Sequence, residues 1–330
     1  MAMAASTAAM MGRATEELAA RSGPGIGGLL NVTFGNAPEL IIALFALAAG
    51  LQEVVKASLV GSILGNILLV LGVSMFVGGL KRNRQTFDAT AAGAQSLLLL
   101  LGAVALVMPA LYELVSGGGL PSPTATLVEY DSNVEMLSLL VAIVLILSYV
   151  AGLFFSLKTH KDLFNPVHGE EEALGEEAWS VKKSVVVLAV AGAAVALMSE
   201  LLVGSITEAS ESIGLSQFFV GVIVVAIVGN AAEHWVAVLF AYKNKLDLSV
   251  NIAIGSSAQI ALFAAPVLVL VSFVLGPAPM PLVFNGLELG GVVLAVIIAQ
   301  VVTNEGESNW FEGFMLLAIY AVMAITFFFA

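Results

Sequence analysis

Two short stretches carry residues whose types and spacing suggest chemistry: Gly35-Asn36-Ala37-Pro38-Glu39 and Gly229-Asn230-Ala231-Ala232-Glu233. Each sets a carboxylate and an amide inside an apolar run long enough to cross a bilayer. An ionised carboxylate near the bilayer centre costs about 2.5–3.5 kcal/mol even on lenient insertion scales, so it must be paired, protonated or coordinating a cation. No lysine or arginine lies at that depth, which removes a fixed salt bridge. Two facing carboxylates are neutralised by one divalent cation or by two protons, and burial with mutual repulsion disfavours the empty, ionised pair. Glu39 and Glu233 are therefore the expected cation- and proton-binding residues.

Their neighbours read as an oxygen cage. Asn36 and Asn230 can offer amide oxygens or hold the glutamates. Further on, Ser62 and Asn66 stand at i and i+4, and Ser256 and Gln259 at i and i+3, so each pair shares one helical face. Gly35 and Gly229 weaken the helix ahead of each acid, while Pro38 removes an N–H and displaces the carbonyl four residues back, freeing main-chain oxygens near Phe34. Oxygen donors in a flexible site suit Ca²⁺, and a chain without cysteine has neither disulfides nor thiolate metal ligands. His234 points about 100° away from Glu233 on an ideal helix, open to a structural hydrogen bond or a proton role. Glu16 and Glu200, near the C-terminal ends of the leading helices, either line ion portals or sit at the interface. Glu113, Glu135, Glu288 and Glu312 lie nearer helix ends, where snorkelling or headgroup contact is the default.

The elements that must position these groups follow from hydropathy. Of 330 residues, 59% are apolar and 11% charged, and the mean hydropathy of +1.02 is that of an all-α polytopic membrane protein. A net charge of −12 argues against nucleic acid and suits a cation. Apolar windows predict ten transmembrane helices, at 1–19, 25–50, 53–79, 89–115, 133–157, 183–206, 216–242, 247–275, 280–303 and 309–329. The first is weak and reads as the tail of a longer helix. Alternate connections hold 11 of the 12 basic residues, the exception being Lys56, and become cytoplasmic. The chain divides into a first five-helix repeat (1–157), an acidic cytoplasmic linker (158–182) and a second five-helix repeat (183–330). That linker, with Glu170, Glu171, Glu172, Glu176 and Glu177, reads as a solvated segment.

The two motifs belong to one repeat. Gly61-Ser62 follows Glu39 at the spacing at which Gly255-Ser256 follows Glu233. Because each half has an odd number of helices, the halves are inverted, the sequence signature of secondary transporters whose substrate sits near the midplane.

With MGRATEELAARSGPGIGGLLNVTFGNAPELIIALFAL, GSILGNILLVLGVSMFVGGLKR, VGVIVVAIVGNAAEH, IAIGSSAQIALFAAPVLVL and SNWFEGFMLLAIYAVMAI, the chain resembles the Ca²⁺/H⁺ antiporter (CAX) family of the cation/Ca²⁺ exchanger superfamily. The resemblance implies that fold, with an extra first helix that is absent here. It also implies exchange of cytosolic Ca²⁺ for protons by alternating access, with Glu39 and Glu233 as shared ligands. Asn36, Asn230, Ser62, Ser256 and Gln259 match family site positions, and Glu16 and Glu200 match acids of the cation pathway. Pro38 departs from the threonine or valine of the family's first motif and is similar to the proline of sodium-coupled relatives. Na⁺/Ca²⁺ exchange on the same fold is the nearest rival, with Ala37 and Ala231 standing where such relatives place hydroxyls. A cation channel is the rival from another class. An enzyme is not expected, since no HExxH or GxSxG motif is present. No cofactor is expected beyond Ca²⁺ and H⁺ as transported ions, the partner is the lipid bilayer, and a homo-oligomer stays open. The lack of a long regulatory N-terminus points to a prokaryotic plasma membrane.

Overall fold

The computed structural model describes residues 2–21, 34–125, 127–159 and 179–330. Helices dominate: α1 (Ala2–Arg21), α2 (Ala37–Ala48), α3 (Gln52–Gly79), α4 (Ala89–Val115), α5 (Ser132–Phe154), α6 (Val181–Ile213), α7 (Gln217–Gly229), α8 (Ala231–Tyr242), α9 (Leu246–Ser272), α10 (Gly286–Glu305) and α11 (Trp310–Phe328). Among the described residues seven are long and apolar enough to cross a membrane, or eight if α7 and α8, bent by 61°, count as one span. Helix α1 and the 12-residue α2 fall outside that set, so the expected ten spans are not all met. Residues 22–33, most of the first half of the expected 25–50 helix, and residues 160–178 of the acidic linker lie outside the described residues.

Local signals set most boundaries. Asp88 caps α4 by accepting from the Thr90 and Ala91 N–H groups, and Asp131 caps α5 through Asn133 N. Helix α10 opens at a capping box in which Asn285 accepts from Glu288 N at 2.9 Å and Glu288 returns the bond to Asn285 N at 2.8 Å. The six residues before it, Met280–Asn285, were expected to be helical but run as a buried non-helical segment. Helix α6 continues past its expected end at 206 as far as Ile213, stopping before Gly214 at φ 70°.

Helices α3 and α9 form the centre: 78% and 67% of their apolar windows are buried, against 17% for α5 and for α6. Around them the packing is reciprocal. Helix α1 lies along α6; α2 packs on α6 and α8 on α1; the ends of α3 and α9 meet α11 and α5 respectively; α10 and α4 flank the starts of α3 and α9. Each half thus lends corresponding helices to the other, the arrangement of an inverted repeat. Leu97, Leu140, Val190, Leu201, Val301 and Val322 of the outer helices are exposed, as lipid-facing residues of a multi-pass membrane protein are.

The repeat extends to turns and helix irregularities. Gly50 (φ 79°) and Asn244 (φ 63°) occupy the same left-handed position after α2 and α8. Only glycine, and to a lesser degree asparagine, tolerates that conformation. Gly50→Ala is expected to cost about 1–2 kcal/mol, and more than Asn244→Gly, in thermal unfolding of the purified protein. Both central helices also contain a π-helical turn at one register, Gly65–Val70 in α3 and Ile260–Ala264 in α9, a feature that often marks functional sites.

Candidate functional site

Both motifs break the helix at their asparagine. Asn36 (φ −92°, ψ 17°) and Asn230 (φ −95°, ψ 5°) leave the helical region in the same way, and each is followed by a fresh helix with its glutamate in the first turn. The second break occurs with Ala232 at the place of Pro38, so proline is not its cause. Pro38 sits in the first turn of α2, where its missing N–H costs nothing. A helix N-terminus favours a carboxylate by about 0.3–1 kcal/mol, and up to about 2 kcal/mol when partly buried, which offsets part of the burial cost of Glu39 and Glu233.

The two breaks lie against each other. A Cβ added to Gly229 would stand 2.9 Å from Glu39 Cγ, and one added to Gly35 would stand 3.4 Å from Glu233 Oε1. Each acid leans on the glycine of the opposite motif, and each carboxylate lies within the field of the other. The amides cross over likewise. Asn36 donates to Gln259 Oε1 at 2.7 Å and accepts from Ser256 Oγ at 2.9 Å, whereas Asn230 donates to Ser62 Oγ at 2.9 Å and to Ala226 O at 2.9 Å. Seven of the eight expected site residues are thus joined across the halves, and the eighth, Asn66, is buried one turn from Ser62 with neither amide atom bonded.

The arrangement is not symmetric in its satisfaction. Glu233 Oε2 accepts from Ser256 at 2.7 Å, whereas both Glu39 oxygens are sealed from solvent without a hydrogen bond among the described residues. Asn230 and Ser62 are the side chains that face them. A hydrogen bond to a charged group returns about 1.5–3 kcal/mol, so Glu233 recovers much of its desolvation cost internally. Glu39 does not: both its oxygens are left, among the described residues, without the hydrogen bond that a bound cation or proton would replace. A crevice lined by Glu39, Ala43, Ser58, Ser62 and Leu268 lies beside Glu39 between α2, α3 and α9.

Other expected residues are placed differently. His234 Nε2 is buried with no hydrogen-bond partner among the described residues. Glu200 is exposed and lies 13 residues before the end of α6, a correction to its expected place near the helix end, caused by the extension to Ile213. Glu16 lies on α1, but its side chain is not described. The next residue, which the sequence did not single out, is a buried acid: Glu17 is 1% exposed and accepts from Trp179 N at 2.9 Å. Its only signal was helical phase, three residues after the buried Ala14. Glu288, expected at the headgroups, is 1% exposed because the capping box folds its carboxylate back into the protein.

A profile for the sodium/calcium exchanger protein family matches residues 1–158 and 183–329. The chain belongs to that family. Among its relatives, the Ca²⁺/H⁺ antiporter ChaA of Bacillus subtilis (strain 168) is 49% identical over 97% of this chain and 88% of its own length. The Ca²⁺/H⁺ antiporter of Synechocystis sp. (strain ATCC 27184 / PCC 6803 / Kazusa) is 47% identical over 98% of this chain and 87% of its own. The solved structure of native YfkE superposes with a TM-score of 0.82 at 45% identity, covering 99% of this chain and 90% of that one. The family match breaks only between 158 and 183, where the sequence changes from apolar to acidic.

Proposed function

We propose that this chain is a secondary antiporter that exchanges Ca²⁺ for protons, with Glu39 and Glu233 as ligands shared by the two ions. The reading rests on one observation: two carboxylates from opposite halves are packed onto each other's glycine, and the oxygens of one of them are sealed from solvent with no hydrogen bond among the described residues. Empty and ionised, such a pair is strongly disfavoured. It accepts a divalent cation or protons in competition, and obligatory exchange follows from that competition. The relatives' names supply Ca²⁺ and H⁺ as the ions; the oxygen-only donor set agrees with a hard cation.

In this reading Ca²⁺ is held by Glu39 and Glu233, with Asn36, Asn230, Ser62, Asn66, Ser256 and Gln259 supplying oxygens or orienting the acids. Loading protons cancels the same charge and releases it. Alternating access uses α1 and α6, which lie together against α2 and α8, as the elements that shift. Glu16 and Glu200 line the approaches, and His234 stays available for a proton. The repeats 1–157 and 183–330 are the two halves, and the acidic linker 158–182 faces the cytoplasm of a prokaryotic plasma membrane.

Na⁺ as the counter-ion is the second reading. Ala37 and Ala231 leave the two breaks without hydroxyls, which favours protons. Proteoliposomes separate the two. An imposed pH gradient is expected to drive Ca²⁺ flux that collapses with a protonophore, and a Na⁺ gradient alone is expected to drive none. Flux on Na⁺ without a pH gradient would overturn the proton assignment.

A further inference from the structure

A second buried ionisable cluster sits where α3 and α10 begin, apart from the central pair. Lys56 is fully buried. Its Nζ lies 2.5 Å from Glu53 Oε1 and donates to Val283 O at 2.8 Å. Glu53 is 9% exposed and Glu288 1%. Glu288 spends Oε2 on Asn285 N, while its Oε1 is buried with no hydrogen-bond partner among the described residues. The Tyr130 ring covers Lys56 at 5.7 Å, and its hydroxyl is buried with no hydrogen bond among the described residues. Burial first, then the Glu53, Glu113 and Glu288 carboxylates, push that hydroxyl upward, so the phenol stays neutral. The charged groups that act on Glu288 are thus Lys56 and Glu53 from α3, and Tyr130 from the α4–α5 connection lies within the field of Glu53, Glu288 and Glu113 from the last turn of α4.

The charges do not balance. Glu53 and Glu288 bring two negative charges, Lys56 one positive, and a lone buried charge costs far more than one hydrogen bond returns. Glu113, half-buried at a helix end, adds negative charge and cannot compensate. A divalent cation would meet the ammonium already in place.

We infer that the Glu53–Lys56–Glu288 cluster is a second proton-binding site, holding one proton between its two carboxylates and loaded from the face that carries the α2–α3 turn. Glu53 is the member that reaches solvent. The bound proton leaves Lys56 paired with Glu53 and bonded to Val283 O, and so keeps α3 anchored to the segment before α10. Gln52, donating to Ala278 O at 2.6 Å, adds to that anchor.

Infrared pH titration of the full chain tests this in the Glu39→Gln/Glu233→Gln background, where the central acids are gone and transport is irrelevant. At neutral pH a buried protonated-carboxyl band is expected. Adding Glu288→Gln should remove it, and glutamine still accepts from Asn285 N, so the capping box survives. Glu53→Gln should remove it too, since Lys56 then balances Glu288, which guards against misfolding of either variant. Lys56→Met should raise the band about two-fold, because both acids must then be neutral. A band missing from the background, unchanged by both glutamine variants, or unchanged by Lys56→Met overturns the assignment. Displacement of the band by Na⁺ at fixed pH gives the place to a monovalent cation instead and also overturns it.

Discussion

Glu39→Gln and Glu233→Gln are each expected to abolish Ca²⁺ transport while the protein still folds. Glutamine keeps the shape and one oxygen but removes a charge from the pair proposed to balance a divalent ion. Even outer partners of metal ligands are worth about 10–100-fold in metal affinity, so losing a carboxylate proposed as a direct ligand should cost at least about 100-fold in flux. The two variants should part in stability. Glu39 carries two sealed, unbonded oxygens, and a neutral amide there relieves an uncompensated group; ion-free Glu39→Gln is expected to melt no lower than the parent. Glu233 accepts a bond from Ser256, and weakening it should lower stability by about 1 kcal/mol. Radiolabelled Ca²⁺ uptake and thermal unfolding in calcium chelator read both. Full transport by either variant would refute the site.

Gly61→Ala should be nearly as damaging, for a reason of packing. A Cβ at Gly61 would lie 2.6 Å from the Val222 carbonyl carbon, backbone against backbone, so α3 and α7 must separate. Overpacking of this kind costs about 1–3 kcal/mol. Ser62, the next residue, would be carried away from Asn230, to which it is bonded at 2.9 Å, and functional groups need placement within about 0.5 Å. A fall of 10-fold or more in flux is expected. Gly255→Ala, at the matching position of the second repeat, meets only the Gln95 Oε1 side chain at 3.2 Å and should be milder. Gly93→Ala on α4 has nothing within 4 Å and should gain about 0.5–1 kcal/mol. Equal flux in the Gly61 and Gly93 variants would show that the α3–α7 approach does not govern the site.

The spacing from each glutamate to its Gly-Ser pair was legible in the sequence because a helix preserves register, and the apolar windows located the helices because lipid demands them. What the windows could not see were events unrelated to lipid. Helix α6 runs on through Glu208 and Glu211 because a helix needs no apolarity once it leaves the membrane. Met280–Asn285 is apolar yet non-helical, since Asn285 and Glu288 start α10 later. Which amide meets which hydroxyl was also hidden: Asn36 reaches Ser256 and Asn230 reaches Ser62, a crossing that only the antiparallel assembly of the halves creates. Lys56 looked like a helix-start lysine, and only packing revealed that it is sealed with two acids.

The π-helical turns in α3 and α9 bear on the phase of the two halves. Each inserts one residue into a helix, and an insertion in one copy alone would shift every later position against the other copy. Their matching placement keeps the residues that follow them in the same phase in the two halves. The irregular turns therefore leave the alignment of Gly61-Ser62 with Gly255-Ser256 intact, and α11 and α5 meet the far ends of α3 and α9 at corresponding places.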